Sequence, residues 1–377
     1  MEKKDWSLLA GIVVVFGILY FLPPLSFLLS SSGWLATSIL SAFNLLHEYA
    51  RLHVLTCLVP ALFIAGAISI FIKKEKVMKY LGSEAKKYVS YGVASISGAI
   101  LTVCSCTILP LFAGIRKRGA GLGPAITFLF SGPSINIAAI FLTMGVLGIK
   151  IGFARIFFAI SLSVLVGLTM VLIFREKVDK KKLLIEESEE SQLSNKVLAI
   201  FFGLMVGVLV VNGLQIDKVI RYSLMGFFTV GVVGLVLWKF RDHMTQRWLN
   251  ETWSFSKMLL PLLFIGVFVA GFIMPLLPEA VVESLVGQNT ILGNFVASVF
   301  GAFMYFSTLT EIPILQALIA KGMHSGPALA LLLAGPSLSL PNMLVIRKIL
   351  GTKKTAVYVG LVVVYSTIAG LIFGMIA

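Results

Sequence analysis

Apolar runs close to twenty residues long recur along this chain, and they constrain its fold more than any other feature. They lie at about 7–29, 54–72, 121–147, 152–174, 196–213, 219–238, 257–277, 325–346 and 355–376. A hydrocarbon core about 30 Å thick takes about 20 apolar residues of helix to cross. Backbone polar groups inside it must be satisfied by the segment itself or by a closed barrel. The period-two alternation of a membrane barrel is absent from these runs. The expected fold is therefore an all-α polytopic membrane protein. Only 13% of residues are charged and 58% are hydrophobic, against about 25% charged in soluble domains. The formal net charge of +14 would suggest nucleic acid in a soluble protein. Here the basic residues sit in short loops between apolar runs, so the expected partner is the lipid bilayer and not nucleic acid.

Part of the chain is duplicated. Residues 98–137 align without gaps on 301–340, at an offset of 203, with twelve of 40 positions identical. The identities include Pro110 with Pro313, Gly123-Pro124-Ala125 with Gly326-Pro327-Ala328, and Gly132-Pro133-Ser134 with Gly335-Pro336-Ser337. Runs 89–115 and 291–320 each carry a central proline and read as re-entrant-type hairpins, entering and leaving on one side. If both cross fully, the helix count rises. With the N-terminus inside, 25 of the 31 Lys and Arg fall on the cytoplasmic side; Arg51, Lys150, Arg155, Lys218, Arg221 and Lys321 do not. That topology puts the two hairpins on opposite sides. The basic turn Arg116-Lys117-Arg118 becomes Ile319-Ala320-Lys321 in the second copy. The repeats are therefore expected to be inverted, with broken helices. The chain divides into an N-terminal helix with an interfacial segment (1–50), repeat 1 (51–174), a charged cytoplasmic linker (175–196), connecting helices (197–256) and repeat 2 (257–377). A plasma-membrane location (the inner membrane of a two-membrane cell) follows, with the N-terminus in the cytoplasm. No Gly-rich phosphate loop is present, so this chain alone is not expected to drive transport with ATP, and no cofactor is implied.

The candidate chemistry begins at Cys104-Ser105-Cys106, a thiol pair inside an apolar run. Residues two apart on an α-helix point about 200° apart, so the thiols share a ligand only where the backbone is irregular. Pro110 removes the hydrogen bond to the Cys106 carbonyl and is expected to interrupt the helix there. Soft thiolates favour soft metals and metalloids, whereas two small core cysteines would fill the same positions by packing alone. Cys57 could complete a three-thiol site or serve the core. Each Gly-Pro-Ser is expected to break a helix, with Ser134 or Ser337 capping the next one and presenting its positive N-terminal end near the midplane. Asn136 and Asn342 are candidate path-lining amides. Glu311 is the one carboxylate in the second hairpin, and an intramembrane carboxylate points to proton coupling or to a structural partner such as Lys321. Ser307 and Leu309 stand where the first repeat has Cys104 and Cys106.

The run Cys104-Ser105-Cys106-Thr107-Ile108-Leu109-Pro110, followed by Gly119-Ala120-Gly121-Leu122-Gly123 and Ser131-Gly132-Pro133-Ser134-Ile135-Asn136, resembles the YraQ/ArsP-type predicted permeases over most of the chain. The resemblance implies a permease and not an enzyme. Members of that type export trivalent organoarsenicals such as methylarsenite, and Cys104 and Cys106 would be the arsenic-binding pair. The expected function is secondary export of a thiophilic small solute, with arsenical resistance as its consequence. Cys104, Cys106, Ser134, Asn136, Ser307, Glu311, Ser337 and Asn342 are the candidate binding residues, and a homo-oligomer is compatible with them. Two alternatives use the same thiols: a permease for an inorganic sulfur species, and a transmembrane thiol redox carrier. The second repeat's lack of cysteines weighs against the carrier.

Overall fold

The computed structural model describes residues 34–72, 74–82, 85–101, 105–174, 194–213, 217–240, 242–276, 285–304 and 311–377, together with positions 11, 14, 17 and 20. The expected first span at 7–29 and the linker 175–196 therefore lie largely outside the described residues. Every regular element among them is helical. The helices are α1 (Trp34–Tyr49), α2 (Val59–Phe71), α3 (Lys74–Leu81), α4 (Lys87–Leu101), α5 (Ser105–Lys117), α6 (Leu122–Ser134), α7 (Ile137–Val146), α8 (Ile149–Ile173), α9 (Asn195–Gly213), α10 (Lys218–Lys239), α11 (Asp242–Ile273), α12 (Ile291–Phe303), α13 (Glu311–Ala320), α14 (Ser325–Leu338), α15 (Leu340–Leu350) and α16 (Thr352–Ile376). A π-helical stretch, Ala50–Leu58, joins α1 to α2. Within the segment expected to be interfacial, α1 packs along α11.

Four of the described helices are long and apolar enough to cross a membrane, or six if each bent pair forms one span. The bent pairs are α6 with α7 (46°) and α14 with α15 (48°). Both arise in the duplicated region. The duplication extends further in structure than in sequence identity. Shifting Ile149–Ile173 by 203 gives the bounds of Thr352–Ile376. Helices α4 to α8 and α12 to α16 follow the same order. Within each repeat, the first, third and fifth helices pack on one another: α4, α6 and α8 in one, α12, α14 and α16 in the other.

Close approach inside each trio depends on equivalent glycines. A Cβ on Gly167 would lie 2.7 Å from the carbonyl oxygen of Gly123, and one on Gly370 would lie 2.7 Å from that of Gly326. Between helices in lipid, such small residues let backbones meet, and dispersion takes over much of what the hydrophobic effect supplies in water.

The repeats are joined by reciprocal contacts. α6 packs on α14 and α8 on α16; α5 packs on α15, and its equivalent α13 packs on α7. Outside this core, an aromatic cluster of Phe71, Phe201, Phe240 and Trp248 ties α2, α9 and α11 together at the end of α10. The Trp248 indole donates to the Phe63 carbonyl at 2.9 Å.

Candidate functional site at the meeting of the two broken helices

Pro110 does not interrupt its helix. α5 runs from Ser105 to Lys117 through it. The proline frees one carbonyl, that of Cys106 in the first turn, and the later turns close normally. Among the described residues, α4 is described to Leu101 and α5 from Ser105. Cys104 and Ser307 lie outside the described residues, as do the side chains of Cys106 and Cys57.

The Gly-Pro-Ser motifs also behave differently from expectation. Gly132-Pro133-Ser134 forms the last turn of α6, and Gly335-Pro336-Ser337 lies in the last turn of α14. The breaks follow them, at Ile135-Asn136 and at Ser339. Neither serine caps the next helix. Ser134 Oγ reaches back to the Phe130 carbonyl at 2.9 Å, and Ser337 Oγ to that of Leu333 at 3.0 Å. A hydroxyl that returns to its own helix keeps the last turn closed past the proline. Ser339 is left with φ of 20°, the one positive value at a non-glycine among the described residues.

What the motifs do is meet. Ser134 Oγ and Ser337 Oγ are 2.8 Å apart, and both residues are buried. These are equivalent positions of the two repeats, so the contact is self-complementary. Two hydroxyl protons serve three short contacts. One serine therefore donates across the junction while the other donates back to its own helix.

Arg155, on the second turn of α8, organises the surroundings. It is wholly buried. Its Nε donates to the Ser134 carbonyl at 3.1 Å, Nη1 to Thr143 Oγ1 at 3.0 Å and Nη2 to Glu311 Oε1 at 2.7 Å. Thr143 passes its own proton to the Ala139 carbonyl at 2.6 Å. Arg155 thus closes the C-terminal end of α6, where a cation suits the partial negative charge, and ties repeat 1 to α13 of repeat 2. Both partners of the ion pair have no exposed side-chain surface. The partner of Glu311 is therefore Arg155, a residue that sequence reasoning had set aside as a stray basic residue.

The equivalent of Arg155 is Tyr358. Its hydroxyl donates to the Ser337 carbonyl at 3.3 Å, the counterpart of the bond from Arg155 to Ser134. The two repeats thus fill one structural role with a cation in one case and a neutral phenol in the other. Asn136 is buried at the first break and Asn342 in the first turn of α15. Of the expected site residues, Ser134 and Glu311 are linked through Arg155, Ser337 joins them through its bond to Ser134, and the asparagines flank the two breaks.

A buried polar junction between two equivalent broken helices, within a bundle of membrane-length helices, gives the architecture of a polytopic membrane protein. The comparisons agree. The family described as "Predicted permease", ArsP_1, matches residues 39–375, and the chain belongs to that family. It is 44% identical over 350 residues to UPF0718 protein MJ0584 of Methanocaldococcus jannaschii, covering 88% of this chain and 95% of that protein. It is 25% identical over 331 residues to UPF0718 protein YraQ of Escherichia coli, covering 86% of this chain and 79% of that one. No solved structure matches.

Proposed function

We propose that this permease is a secondary transporter that exports a thiophilic small solute, with trivalent organoarsenicals such as methylarsenite as its substrate class. The observation that carries the transporter reading is the junction itself. Two equivalent helix breaks meet at Ser134 and Ser337, and one buried ion pair, Arg155–Glu311, spans the repeats. Irregular backbone at membrane depth is tolerated where protein or a cavity satisfies it, and transporters place substrate and ion sites there. The thiophilic specificity rests on Cys104 and Cys106. They stand two residues apart inside an apolar run, and soft thiolates favour soft metals and metalloids.

In this reading the repeats are inverted, the N-terminus is cytoplasmic and the protein lies in the plasma membrane. Rocking of one repeat against the other exposes the thiols alternately. Glu311 is the coupling carboxylate: a proton on it would release Arg155 and loosen the tie between repeats.

Expression in arsenic-sensitive cells tests the substrate. Wild type should confer methylarsenite resistance, and Cys104→Ser and Cys106→Ser should lose it at equal membrane abundance. Equal resistance in all three would remove the thiol site. No resistance from wild type would remove the substrate class.

A further inference from the structure

The two helix breaks differ in charge, and the difference leaves unmet acceptors on one side. At the first break the guanidinium of Arg155 holds the Ser134 carbonyl and reaches Glu311 Oε1. At the second, Tyr358 holds the Ser337 carbonyl with a neutral hydroxyl. Three buried side-chain oxygens there have no hydrogen-bond partner among the described residues: Glu311 Oε2, Ser339 Oγ and Asn342 Oδ1. Each residue is at most 2% exposed. They lie on residues at or beside one break. Glu311 Oε2 lies 3.8 Å from where a Cβ on Gly335 would stand. Gly335 is one turn before Ser339, whose N–H reaches its carbonyl at 3.4 Å. Asn342 follows Ser339 by three residues, within the first turn of α15.

Buried acceptors left unpaired are destabilising. Three around one break therefore call for a common partner. The donor set is oxygen alone, which suits a hard cation. It holds one carboxylate, already shared with Arg155, so a divalent ion would leave twice the uncompensated charge of a monovalent one. No group of three or more His, Cys, Asp and Glu occurs among the described residues, which counts against a transition metal. We infer that the break between α14 and α15 is a binding site for a monovalent hard cation, Na+, held by Glu311 Oε2, Ser339 Oγ and Asn342 Oδ1. The ion does at the second break what the guanidinium of Arg155 does at the first. It is exchangeable where Arg155 is fixed, and it competes with a proton for Glu311 Oε2.

The site rests on the three unpaired oxygens; only its role as the coupling site rests on the permease reading. The test uses the purified full chain without substrate, so it can fail while arsenical export holds, and the reverse. Binding of radiolabelled Na+ and thermal unfolding are followed as NaCl replaces choline chloride at constant ionic strength. Wild type should bind Na+ saturably and unfold at higher temperature with it. Asn342→Ala and Ser339→Ala should weaken the apparent affinity at least about tenfold, the effect of losing roughly 1.4 kcal/mol. Asn342→Asp, which adds an anionic oxygen, should tighten it. Ser366→Ala, which removes a buried unpaired hydroxyl on α16 away from this break, should leave it unchanged. Equal stabilisation by choline, a response that follows pH and ignores Na+, or wild-type affinity in both alanine variants would overturn the inference. The first result would leave water as the occupant and the second a proton.

Discussion

At residue 155 a guanidinium is wholly buried in the apolar helix α8, and the reason lies in another part of the chain. Its three buried bonds go to α6, α7 and α13. Removing one member of a buried ion pair strands the other and typically destabilises by about 3–5 kcal/mol, while replacing both by apolar groups is often neutral. Arg155→Met and Glu311→Gln should each lower the unfolding temperature of the purified protein markedly. The double variant Arg155→Met/Glu311→Met should recover most of that loss. If Glu311 is the coupling carboxylate, as proposed, transport by the double variant should still fail at every external pH. Recovery of stability together with pH-dependent transport would show that Glu311 is only structural. Glu311 was legible in the sequence as a lone carboxylate in an apolar run. Arg155 was equally lone, but a count of loop charges absorbed it. Reading lone opposite charges in the two repeats as one pair would have found it.

At the scale of the helix, the breaks and close approaches set the architecture. Gly-Pro was visible as a break signal, yet the break falls two residues later. A proline in the last turn of a helix frees a single carbonyl, and a following serine can close that turn by bonding four residues back. Sequence rules for helix ends weigh the proline and not the hydroxyl. The glycine crossings were hidden for another reason: a glycine at a backbone contact looks the same in sequence as one facing lipid. Gly370 and Gly360 both lie on α16. A Cβ on Gly370 would stand 2.3 Å from Asn294 Oδ1 and 2.7 Å from the Gly326 carbonyl, whereas one on Gly360 would meet nothing within 4 Å. Gly370→Ala should therefore destabilise by about 1–3 kcal/mol through overpacking. Gly360→Ala should be neutral or stabilise by up to about 1 kcal/mol through helix propensity. Paired thermal unfolding measurements decide this. Similar losses in both would mean that the α14–α16 crossing is looser than described.

Across the whole molecule, the duplication was readable from twelve identities, but its use was not. Identities show that two segments share a fold. They do not show that Ser134 and Ser337 touch, nor that α5 and α13 each reach across to the other repeat's broken helix. Such exchange makes each repeat incomplete alone, since α7 gains α13 as a neighbour only from its partner. Beyond the junction, Lys117 at the end of α5 forms an ion pair with Glu251 on α11, and Ser69 on α2 donates to the same carboxylate at 3.3 Å. This second tie lies at the basic turn of the first hairpin, and the corresponding turn of the second hairpin lacks that basic run. The proposed inversion would account for the asymmetry, with positive charge retained on the cytoplasmic side and lost on the other. Single cysteines at exposed Lys86 and Gln288, near equivalent entries to the two hairpins, test it in a background with serine at the three native cysteine positions. In intact cells a membrane-impermeant maleimide should label Gln288→Cys and spare Lys86→Cys, and inside-out vesicles should reverse the pattern. Labelling of both from one side would make the repeats parallel. The junction at Ser134 and Ser337 would then join two helices that enter from the same face, and exposure of the site would require them to part along the membrane normal instead of rocking across it.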